Sequence, residues 1–205
     1  MKIGVSSYSF SQYIKSGKLT QLTAVAKAKE LGFDAIEFTE LMPPEGVSQA
    51  EYAKQIKAEA NKCSIEISAY LVGANLAQKD NSAEIERLKT SLDVANALGA
   101  KLFRHDVMYG YDVFRSFDQA LPTLVAAIRE VTEYAQTLGI QCISGVELDC
   151  RFQGVDLHLL GYGIRHGADI FRVLEEHILS QERTSSEQKL ALTNALGFHL
   201  SHQDL

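Results

Sequence analysis

One phrase recurs along the chain: an amphipathic helix, then Leu-Gly, then a short apolar strand. It occurs three times, with a degenerate fourth copy: Leu31-Gly32 before Ala35–Phe38, Leu98-Gly99 before Lys101–Arg104, Leu138-Gly139 before Gln141–Val146, and Cys63-Ser64 before Ile65–Leu71. Glycine adopts the left-handed conformation that ends a helix and returns the chain toward a sheet. Strands and helices alternating in this way predict parallel strands joined by crossover helices.

Capping signals and proline place the helices. Ser48 with Glu51, and Asn81 with Glu84, have the spacing of a capping box at a helix start. A fourth helix is predicted from Leu121 to Leu138, with Pro122 in its first turn.

The pattern changes after Leu138. Gln141–Phe152, the pair Gln153-Gly154 and Val155–Tyr162 predict a hairpin. Residues 169–196 read as helical with a break near Thr184–Ser186, and residues 201 and 204 have the spacing of another helix start.

The fold predicted is α/β, with TIM-barrel-like repeated βα units and parallel strands, ending in a β-hairpin and helices. Only four full units fit before Leu138, whereas a closed eight-unit barrel takes about 250 residues, so we expect an incomplete or hybrid barrel. We expect one domain over 1–205, with a barrel half over 1–140 and a strand, hairpin and helical segment over 141–205. The exposed sheet edges of such a fold predict a homo-oligomer.

Composition narrows the partners. The net charge of −6 and the lack of a basic cluster argue against nucleic acids and anionic membranes. No apolar run reaches the roughly 20 residues that span a bilayer, and no signal peptide is recognisable at the start. The three cysteines form no CxxC pair, which indicates a reducing cytoplasm.

Polar residues at the carboxyl ends of parallel strands are the first candidates for a site. The candidates are Tyr8, Glu37, Glu40, Arg104, His105, Asp106, Glu147 and His158. Glu37 lies in an apolar run, where it is either a site residue or an exposed or salt-bridged one. Strand alternation puts Arg104 and Asp106 on one face and His105 on the other, although Asp106 could equally serve in a loop or a helix cap.

Glu147 and His158 are both flanked by apolar residues. Carboxylate and imidazole suit zinc, manganese or iron, although a histidine between leucines is more often a core residue. The sequence contains no GxGxxG, P-loop or GxSxG motif, so dinucleotide, P-loop nucleotide and serine-hydrolase functions lack support.

Residues 1 to about 140 resemble the sugar phosphate isomerase/epimerase family, which has a xylose isomerase-like TIM barrel. The resemblance rests on Met1-Lys2-Ile3-Gly4-Val5-Ser6, Leu31-Gly32-Phe33-Asp34-Ala35-Ile36-Glu37-Phe38 and Leu98-Gly99-Ala100-Lys101-Leu102-Phe103-Arg104. It implies a divalent metal, Mn, Mg or Zn, that polarises a sugar carbonyl while carboxylates move the neighbouring proton. The family's metal-binding glutamate on strand five would be Glu147.

Residues from about 141 to 205 instead resemble the PHP family of metal-dependent phosphoesterases. The matching runs are Ile143-Ser144-Gly145-Val146-Glu147-Leu148 and Gly154-Val155-Asp156-Leu157-His158-Leu159-Leu160-Gly161-Tyr162. That family's metal-binding glutamate also maps to Glu147. Its His-x-His pair on strand one has no counterpart here, since Val5-Ser6-Ser7 stands in its place. Two such resemblances meeting near Ile140 indicate a chimera.

Three functions follow as hypotheses. The first is a metal-dependent isomerase or epimerase of a small sugar or sugar phosphate, with Glu147 and Glu37 catalytic. Arg104, Asp106, Tyr8 and Glu40 would then bind substrate, and Glu147, His158 and His105 would bind metal. The second is a PHP-type phosphoesterase, and the third a barrel scaffold without catalysis, because most ligands of either family are missing.

Overall fold

The computed structural model describes residues 2–109, 113–140, 143, 145–165 and 167–201, apart from the side chains of residues 117, 146 and 149. The chain divides into two compact units, Met1–Cys142 and Ile143–Leu205.

The first unit consists of repeated strand–helix pairs. Its elements are β1 (Gly4–Ser6), a 3-10 turn (Ser7–Phe10), α1 (Ser11–Lys15), α2 (Gln21–Glu30), β2 (Ala35–Phe38), α3 (Gln49–Cys63), β3 (Glu66–Val72), α4 (Ser82–Leu98), β4 (Leu102–His105) and α5 (Phe117–Thr137). The four strands form one parallel sheet in the order β1-β2-β3-β4. This confirms the predicted α/β fold of βα units, which corresponds to part of a TIM barrel.

Strand register decides which side chains share a face. Glu37 on β2 pairs with Ser6 on β1, and Arg104 on β4 pairs with Leu71 on β3. Ile36 and Phe38, which flank Glu37, are fully buried against the helices, whereas Glu37 is half-buried. Glu37 therefore lies on the opposite face of β2 from the core.

The helix-ending phrase works as predicted. Gly32 and Gly99 have φ of 91° and 70°, and Ser64, in the degenerate copy, has φ of 52°. The backbone N–H groups of Ser64 and Gly99 donate to carbonyls of the last turns of α3 and α4. These left-handed residues turn the chain back toward the sheet, so that each of the three helices is followed by a strand after only a short connection.

The helix starts agree with the sequence in part. Ser48 accepts a hydrogen bond from the backbone N–H of Glu51 at 3.2 Å, as its capping spacing predicts. Asn81 is the N-cap residue of α4, as predicted, but its side chain makes no capping hydrogen bond, and its amide instead donates to the carbonyl of Leu76 at 2.8 Å. The helix α5 begins at Phe117, four residues before the predicted start at Leu121, so Pro122 lies in its second turn and not in its first.

The core lies between the sheet and its helices. Its largest fully buried side chains include Phe38, Tyr70, Tyr52, Leu88 and Leu92, contributed by β2, β3, α3 and α4. Burying each such side chain stabilises the fold by about 1.5–3 kcal/mol. This packing fixes the sheet whose carboxyl edge carries the polar residues.

The second unit contains a hairpin and a helix. β5 (Gly145–Phe152) and β6 (Val155–Tyr162) are antiparallel, and the turn residues Gln153 and Gly154 both have positive φ, as the predicted two-residue hairpin requires. The helix α6 (Asp169–Ala195) is continuous, so the predicted break near Thr184–Ser186 is wrong. The Thr184 hydroxyl donates to the carbonyl of Ser180 at 3.0 Å, which satisfies it inside the helix.

Parts of two predictions lie outside the described residues: the start of the strand predicted from Gln141, and Asp204 of the final helix start. Within the part that is described, no helix combines the length and apolar character needed to cross a bilayer.

Candidate functional site

The carboxyl ends of β1–β4 meet at one edge of the sheet, because the strands are parallel. Ser7, directly after β1, is buried, and its Oγ accepts a hydrogen bond from the backbone N–H of Thr39 at 3.1 Å. Thr39 follows β2, so this bond joins the first two strand ends. Tyr8, the next residue after Ser7, is 71% exposed.

Arg87, in the second turn of α4, ties the next two loops together. Its guanidinium donates to both carboxylate oxygens of Glu84, with Nη2–Oε1 at 2.8 Å and Nε–Oε2 at 2.9 Å. Nη2 also donates to the carbonyl of Gly73, the residue after β3, and Nη1 lies 4.0 Å from Oε1 of Glu40. One side chain therefore links the ends of β2 and β3 to α4.

Glu84 completes this link. Its Oε1 accepts a hydrogen bond from the backbone N–H of Asn75 at 3.0 Å. The pKa of Glu84 lies below its ordinary value, chiefly because Arg87 hydrogen-bonds to the ionised carboxylate, while desolvation opposes this shift. Glu84 is thus held as an anion in the first turn of α4, where it binds the loop between β3 and α4.

Asp106, the first residue after β4, has two side-chain partners. Its Oδ1 lies 3.3 Å from Nη2 of Arg104, and its Oδ2 accepts a hydrogen bond from the hydroxyl of Tyr109 at 3.0 Å. Burial and then the Asp106 carboxylate raise the pKa of Tyr109. The Tyr109 hydroxyl approaches Gly73 so closely that a Cβ there would clash with it.

The loops after β3 and β4 also bond through their backbones, since the N–H of Leu76 donates to the carbonyl of Val107 at 2.7 Å. We call the side chains of Glu40, Glu84, Arg87, Arg104, Asp106 and Tyr109 the edge cluster. It presents carboxylate acceptors and guanidinium and hydroxyl donors, the groups that hydrogen-bond polyhydroxylated ligands.

The side chain of His105 lies on the opposite face of β4 from the side chain of Arg104. His105 pairs with Val72 in the sheet while Arg104 pairs with Leu71, so the two side chains alternate across β4. The Nδ1 atom of His105 lies 2.7 Å from the carbonyl oxygen of Asp106, and its ring stacks obliquely on Phe103 with centroids 5.9 Å apart. Arg104 and Asp106 are together, and His105 is turned toward Phe103.

In the second unit the hairpin brings Glu147 and His158 together. Asp149 pairs with His158 and Glu147 with Leu160, so Glu147 is a diagonal neighbour of His158. The Oε1 atom of Glu147 lies 3.4 Å from Nδ1 of His158, and the two side chains are 48% and 66% exposed. The alternative of a core histidine is therefore wrong.

No group of three or more histidine, cysteine or acidic side chains able to hold a metal occurs within the residues that the structure describes. Carboxylate and imidazole have the right donor chemistry, but Glu147 and His158 supply only two ligands. These residues do not by themselves complete the metal site that the family resemblance implies.

Four residues of the site were missed from the sequence: Glu84, Arg87 and Tyr109 of the edge cluster, and Gln21. Gln21 is buried, donates to the carbonyl of Glu40 at 3.0 Å and accepts from the N–H of Met42 at 2.7 Å. The i,i+3 spacing of Glu84 and Arg87 was a usable signal, but such pairs are common on exposed helix faces.

Four parallel βα units with a polar cluster at their carboxyl edge place the chain among TIM-barrel-like α/β proteins. The sequence profile of the xylose isomerase-like TIM barrel family matches residues 25–148, more than half of the chain. The chain belongs to that family. The matched region reaches β5 and includes Glu147.

Solved structures agree with this assignment at the level of the fold. An L-ribulose 3-epimerase superposes with a TM-score of 0.51 at 21% identity, covering 68% of this chain and 48% of that one. A sugar phosphate isomerase/epimerase from Parabacteroides distasonis gives a TM-score of 0.52 at 17% identity, covering 68% and 52%. The chain thus spans about half the length of these structures. A search of curated proteins finds no significant match.

Proposed function

We propose that the chain takes part in isomerising or epimerising a small sugar or sugar phosphate. The observation that carries this proposal is the edge cluster, in which Arg104, Asp106 and Glu40 lie at the strand ends where TIM-barrel enzymes bind their substrates. Family membership supports the reaction class. The L-ribulose 3-epimerase and the isomerase/epimerase with similar folds act on substrates of this kind, as their names state.

In this proposal, the edge cluster orients the sugar. Arg104 donates to a hydroxyl or carbonyl oxygen, and Asp106 and Glu40 accept from hydroxyl groups. Tyr8, exposed after β1, offers an apolar ring face and a hydroxyl to the substrate. Such groups fix the carbon that loses its proton relative to the base.

Two carboxylates are the candidates for proton transfer. Glu37 lies on the face of β2 away from the core, and Glu147 lies in the region matched by the family profile. The base takes the proton from the carbon beside the carbonyl, leaving an enediolate. Return of a proton to the opposite face of the same carbon gives the epimer. If the remaining hydroxyl proton of the enediolate passes to the former carbonyl oxygen, return of a proton to the former carbonyl carbon gives the isomer.

The test is turnover of a panel of ketoses and ketose phosphates by the whole chain, with and without divalent ions. Glu37→Gln should lower turnover by about 100-fold or more, the usual contribution of a general base. Glu86→Gln is the control, because Glu86 is 71% exposed on α4 and pairs with Lys89. Silence of the parent protein across the panel would count against the proposal.

Metal binding is a separate proposal. Glu147 and His158 of the second unit are candidate ligands for Mn²⁺, Mg²⁺ or Zn²⁺, and His105 of the first unit is a candidate considered by itself. When bound, such an ion would polarise the sugar carbonyl. An ion at 100 times its dissociation constant should stabilise the protein by about 2.7 kcal/mol. Thermal unfolding with EDTA, Mn²⁺ or Zn²⁺ should therefore show a shift that Glu147→Gln abolishes, and equal curves for both proteins would reject the site.

A phosphoesterase is the second candidate function, and the 3.4 Å contact between Glu147 and His158 favours it. In this alternative the hairpin and its helix derive from a PHP-like protein joined near Ile140. The xylose isomerase-like family match continues past that junction to residue 148, and the boundary between the two compact units follows Cys142. Hydrolysis of an aryl phosphate, lost in Glu147→Gln, would favour this function over the first.

The third candidate is a scaffold that self-associates. β1 and β4 are the outer strands of the described sheet, and unpaired edges favour pairing with another copy. Sedimentation as a single monomeric species would contradict self-association.

We also propose a cytoplasmic location, with which the free thiols of Cys63 and Cys150 are consistent.

A further inference from the structure

The parallel sheet of the first unit has two open edges. β1 and β4 are its outer strands in the part of the chain that the structure describes, and β5 pairs with β6 in a separate sheet. An outer strand presents a row of backbone N–H and C=O groups that can pair with another strand. Apolar side chains are exposed at both edges: Ile3, just before β1, is 55% exposed, and Leu102 on β4 is 54% exposed. Both edges therefore have the hydrogen-bonding groups and the apolar surface of a strand contact.

The last helix of this unit, α5, has an exposed apolar side as well. The hydroxyl of Tyr134 donates to the carboxylate of Asp93 at 2.9 Å, which places that side of α5 against α4. Leu121 and Val125 lie roughly 140–180° around the helix from Tyr134, since each residue of an α-helix advances by about 100°. They are 40% and 45% exposed. The side of α5 that points away from α4 therefore offers apolar surface to a further helix.

The sheet register places Glu37 and Arg104 at one height of a barrel. Phe38 pairs with Tyr70 and Tyr70 with Phe103, so these three residues form a row across the sheet. Glu37 lies one residue before this row and Arg104 one residue after it, an offset of two residues over two strands. A barrel of eight strands with a shear of about eight has this stagger of one residue per strand. Since Arg104 alternates with Phe103, which packs against the core, it shares with Glu37 the sheet face opposite the core.

The interior of such a barrel is filled by layers of four side chains that come from alternate strands. One copy of the first unit supplies two members of this layer, Glu37 from β2 and Arg104 from β4. The Glu37 carboxylate is half-buried and forms no ion pair with any residue that the structure describes. A second copy would add another glutamate and another arginine, so each carboxylate would lie between two guanidiniums. Two copies are therefore complementary in charge.

From these observations we propose that a second copy of this chain closes the sheet into an eight-stranded barrel, with β4 of each copy parallel to β1 of the other. A two-fold axis along the barrel keeps all eight strands parallel and makes two identical β4–β1 contacts. The carboxyl ends of both sheets then form one face, so a site at this edge contains residues of both copies. This inference rests on the self-association proposed as the third candidate function, to which it adds the paired strands, the symmetry and the number of copies.

The shear also predicts which residues meet at the β4–β1 contact. About eight residues of stagger around a full circuit leave about four across each copy. A path at right angles to the strands runs from Ser7, just after β1, to Phe103, and the stagger then brings it to Ile3 of the second copy. Leu102 correspondingly meets Lys2 of the second copy. The contact would thus cover the exposed side chains of Ile3 and Leu102.

Cross-linking of the whole chain tests this contact. Chains carrying Lys2→Cys and chains carrying Leu102→Cys are unfolded, refolded together and mildly oxidised. In both, the native cysteines are replaced by serine. Within one chain, three strand spacings of about 14 Å in all separate positions 2 and 102, too far for a disulfide. A disulfide between these positions therefore joins two chains, and mass spectrometry of the linked peptides identifies it.

We expect this disulfide to form at least about tenfold more than one between Lys2→Cys and Glu86→Cys, because only the first pair lies at the proposed contact. Glu86 is the control position because its side chain is 71% exposed on α4. Lys2 and Leu102 are exposed too, with the side chain of Lys2 at 70%, so both cysteine variants should fold.

Sedimentation equilibrium tests the charged layer. Glu37→Arg and Arg104→Glu each leave four like charges in it, so each should weaken the dimer by about tenfold or more. The double variant restores the alternation of charge and should recover most of the affinity. Glu86→Arg makes the same change of charge on the exposed side of α4 and should change the dissociation constant by no more than about twofold.

The outcomes separate this inference from the proposals around it. Monomers at every concentration would overturn both the closed dimer and the self-association of the third candidate. Oligomers that grow beyond two copies would overturn closure alone. A dimer that links positions 2 and 102 no more than positions 2 and 86 would overturn the β4–β1 contact. Turnover of ketoses tests the isomerase or epimerase proposal independently of all three results.

Discussion

Arg87 and Glu84 form a two-pronged ion pair, with Nη2–Oε1 and Nε–Oε2 distances of 2.8 and 2.9 Å. The pair is one turn apart on α4, yet its other contacts reach the ends of two strands, through Gly73 and Glu40. Since Glu84 also holds the backbone of Asn75, the pair shapes the loop between β3 and α4. That loop borders the proposed sugar site.

Replacing Arg87 should therefore destabilise the first unit. Arg87→Met keeps the aliphatic stem but removes the hydrogen bonds that Arg87 donates to the Gly73 carbonyl and to Glu84, whose side chain is 17% exposed. We expect a loss of about 1.5–3 kcal/mol in the free energy of unfolding, typical of hydrogen bonds to charged groups. Urea unfolding followed by circular dichroism measures it. Arg129→Met, at an exposed arginine of α5, should stay within about 0.5 kcal/mol, and equal losses in the two variants would refute the role of Arg87.

Stability should also depend on pH through Glu66. Lys101 and Lys2 both hydrogen-bond to this carboxylate, at 2.8 and 2.7 Å, and they lower its pKa from 4.5 to about 2. A lowered pKa in the folded state means that the stabilisation is complete above the unfolded value and is lost as pH falls from about 5 toward 2. Glu84, whose pKa Arg87 lowers, contributes in the same direction.

The measurement is the melting temperature at pH 7 and at pH 3 in low salt. Glu66→Gln should melt lower at pH 7 but lose less on acidification than the parent protein does. Salt should weaken the difference, because the lysines are exposed. The control Glu45→Gln, in the loop after β2, should show the same fall in melting temperature from pH 7 to pH 3 as the parent protein. If the melting temperature fell equally from pH 7 to pH 3 in the parent and in Glu66→Gln, Glu66 would not contribute to the pH dependence of stability.

The core prediction concerns Leu88. Leu88 is fully buried between α4 and the sheet, whereas Leu192 on α6 is 68% exposed. Leu88→Ala should cost about 2–5 kcal/mol through lost burial and a residual cavity. Leu192→Ala should change the free energy of unfolding by no more than about 0.5 kcal/mol. Urea unfolding of both variants checks the contrast, which would fail if Leu192→Ala were the more damaging change.

The fold was predictable because its signals are local. Helices commonly end in a residue of positive φ, so Leu31-Gly32 and Leu98-Gly99 marked the helix ends, and Gln153-Gly154 marked the hairpin turn. Asn81 marked the start of α4 correctly, but the expected capping hydrogen bond is not made, because its side-chain amide donates to the carbonyl of Leu76 in the preceding loop.

The edge cluster was predictable only in part, because it depends on contacts across loops. Arg104 and Asp106 follow from strand alternation, and the structure brings them within 3.3 Å. Arg87 does not: its partner Gly73 lies 14 residues away, and their approach depends on the path of the loop between β3 and α4. Tyr109 likewise needs the space that Gly73 leaves by lacking a Cβ.

The last prediction compares the two left-handed residues that end α3 and α4. Ser64 has φ of 52° and Gly99 has φ of 70°, a region that costs a residue with a Cβ about 1–2 kcal/mol. Gly99→Ala should therefore destabilise by about 1 kcal/mol, and Ser64→Gly should stabilise or be neutral, since glycine relieves the strain but gains entropy when unfolded.

A Cβ at Gly99 would also lie 2.9 Å from Cε of Lys57, but a flexible lysine can move away at little cost. Lys57→Ala combined with Gly99→Ala separates the two causes in a double-mutant cycle of urea unfolding. If backbone conformation dominates, the loss caused by Gly99→Ala persists in the Lys57→Ala background. If crowding by Lys57 dominates, Gly99→Ala causes no loss of stability in the Lys57→Ala background. Glycine would then be required at position 99 because of the nearby Lys57 side chain and not because of its φ.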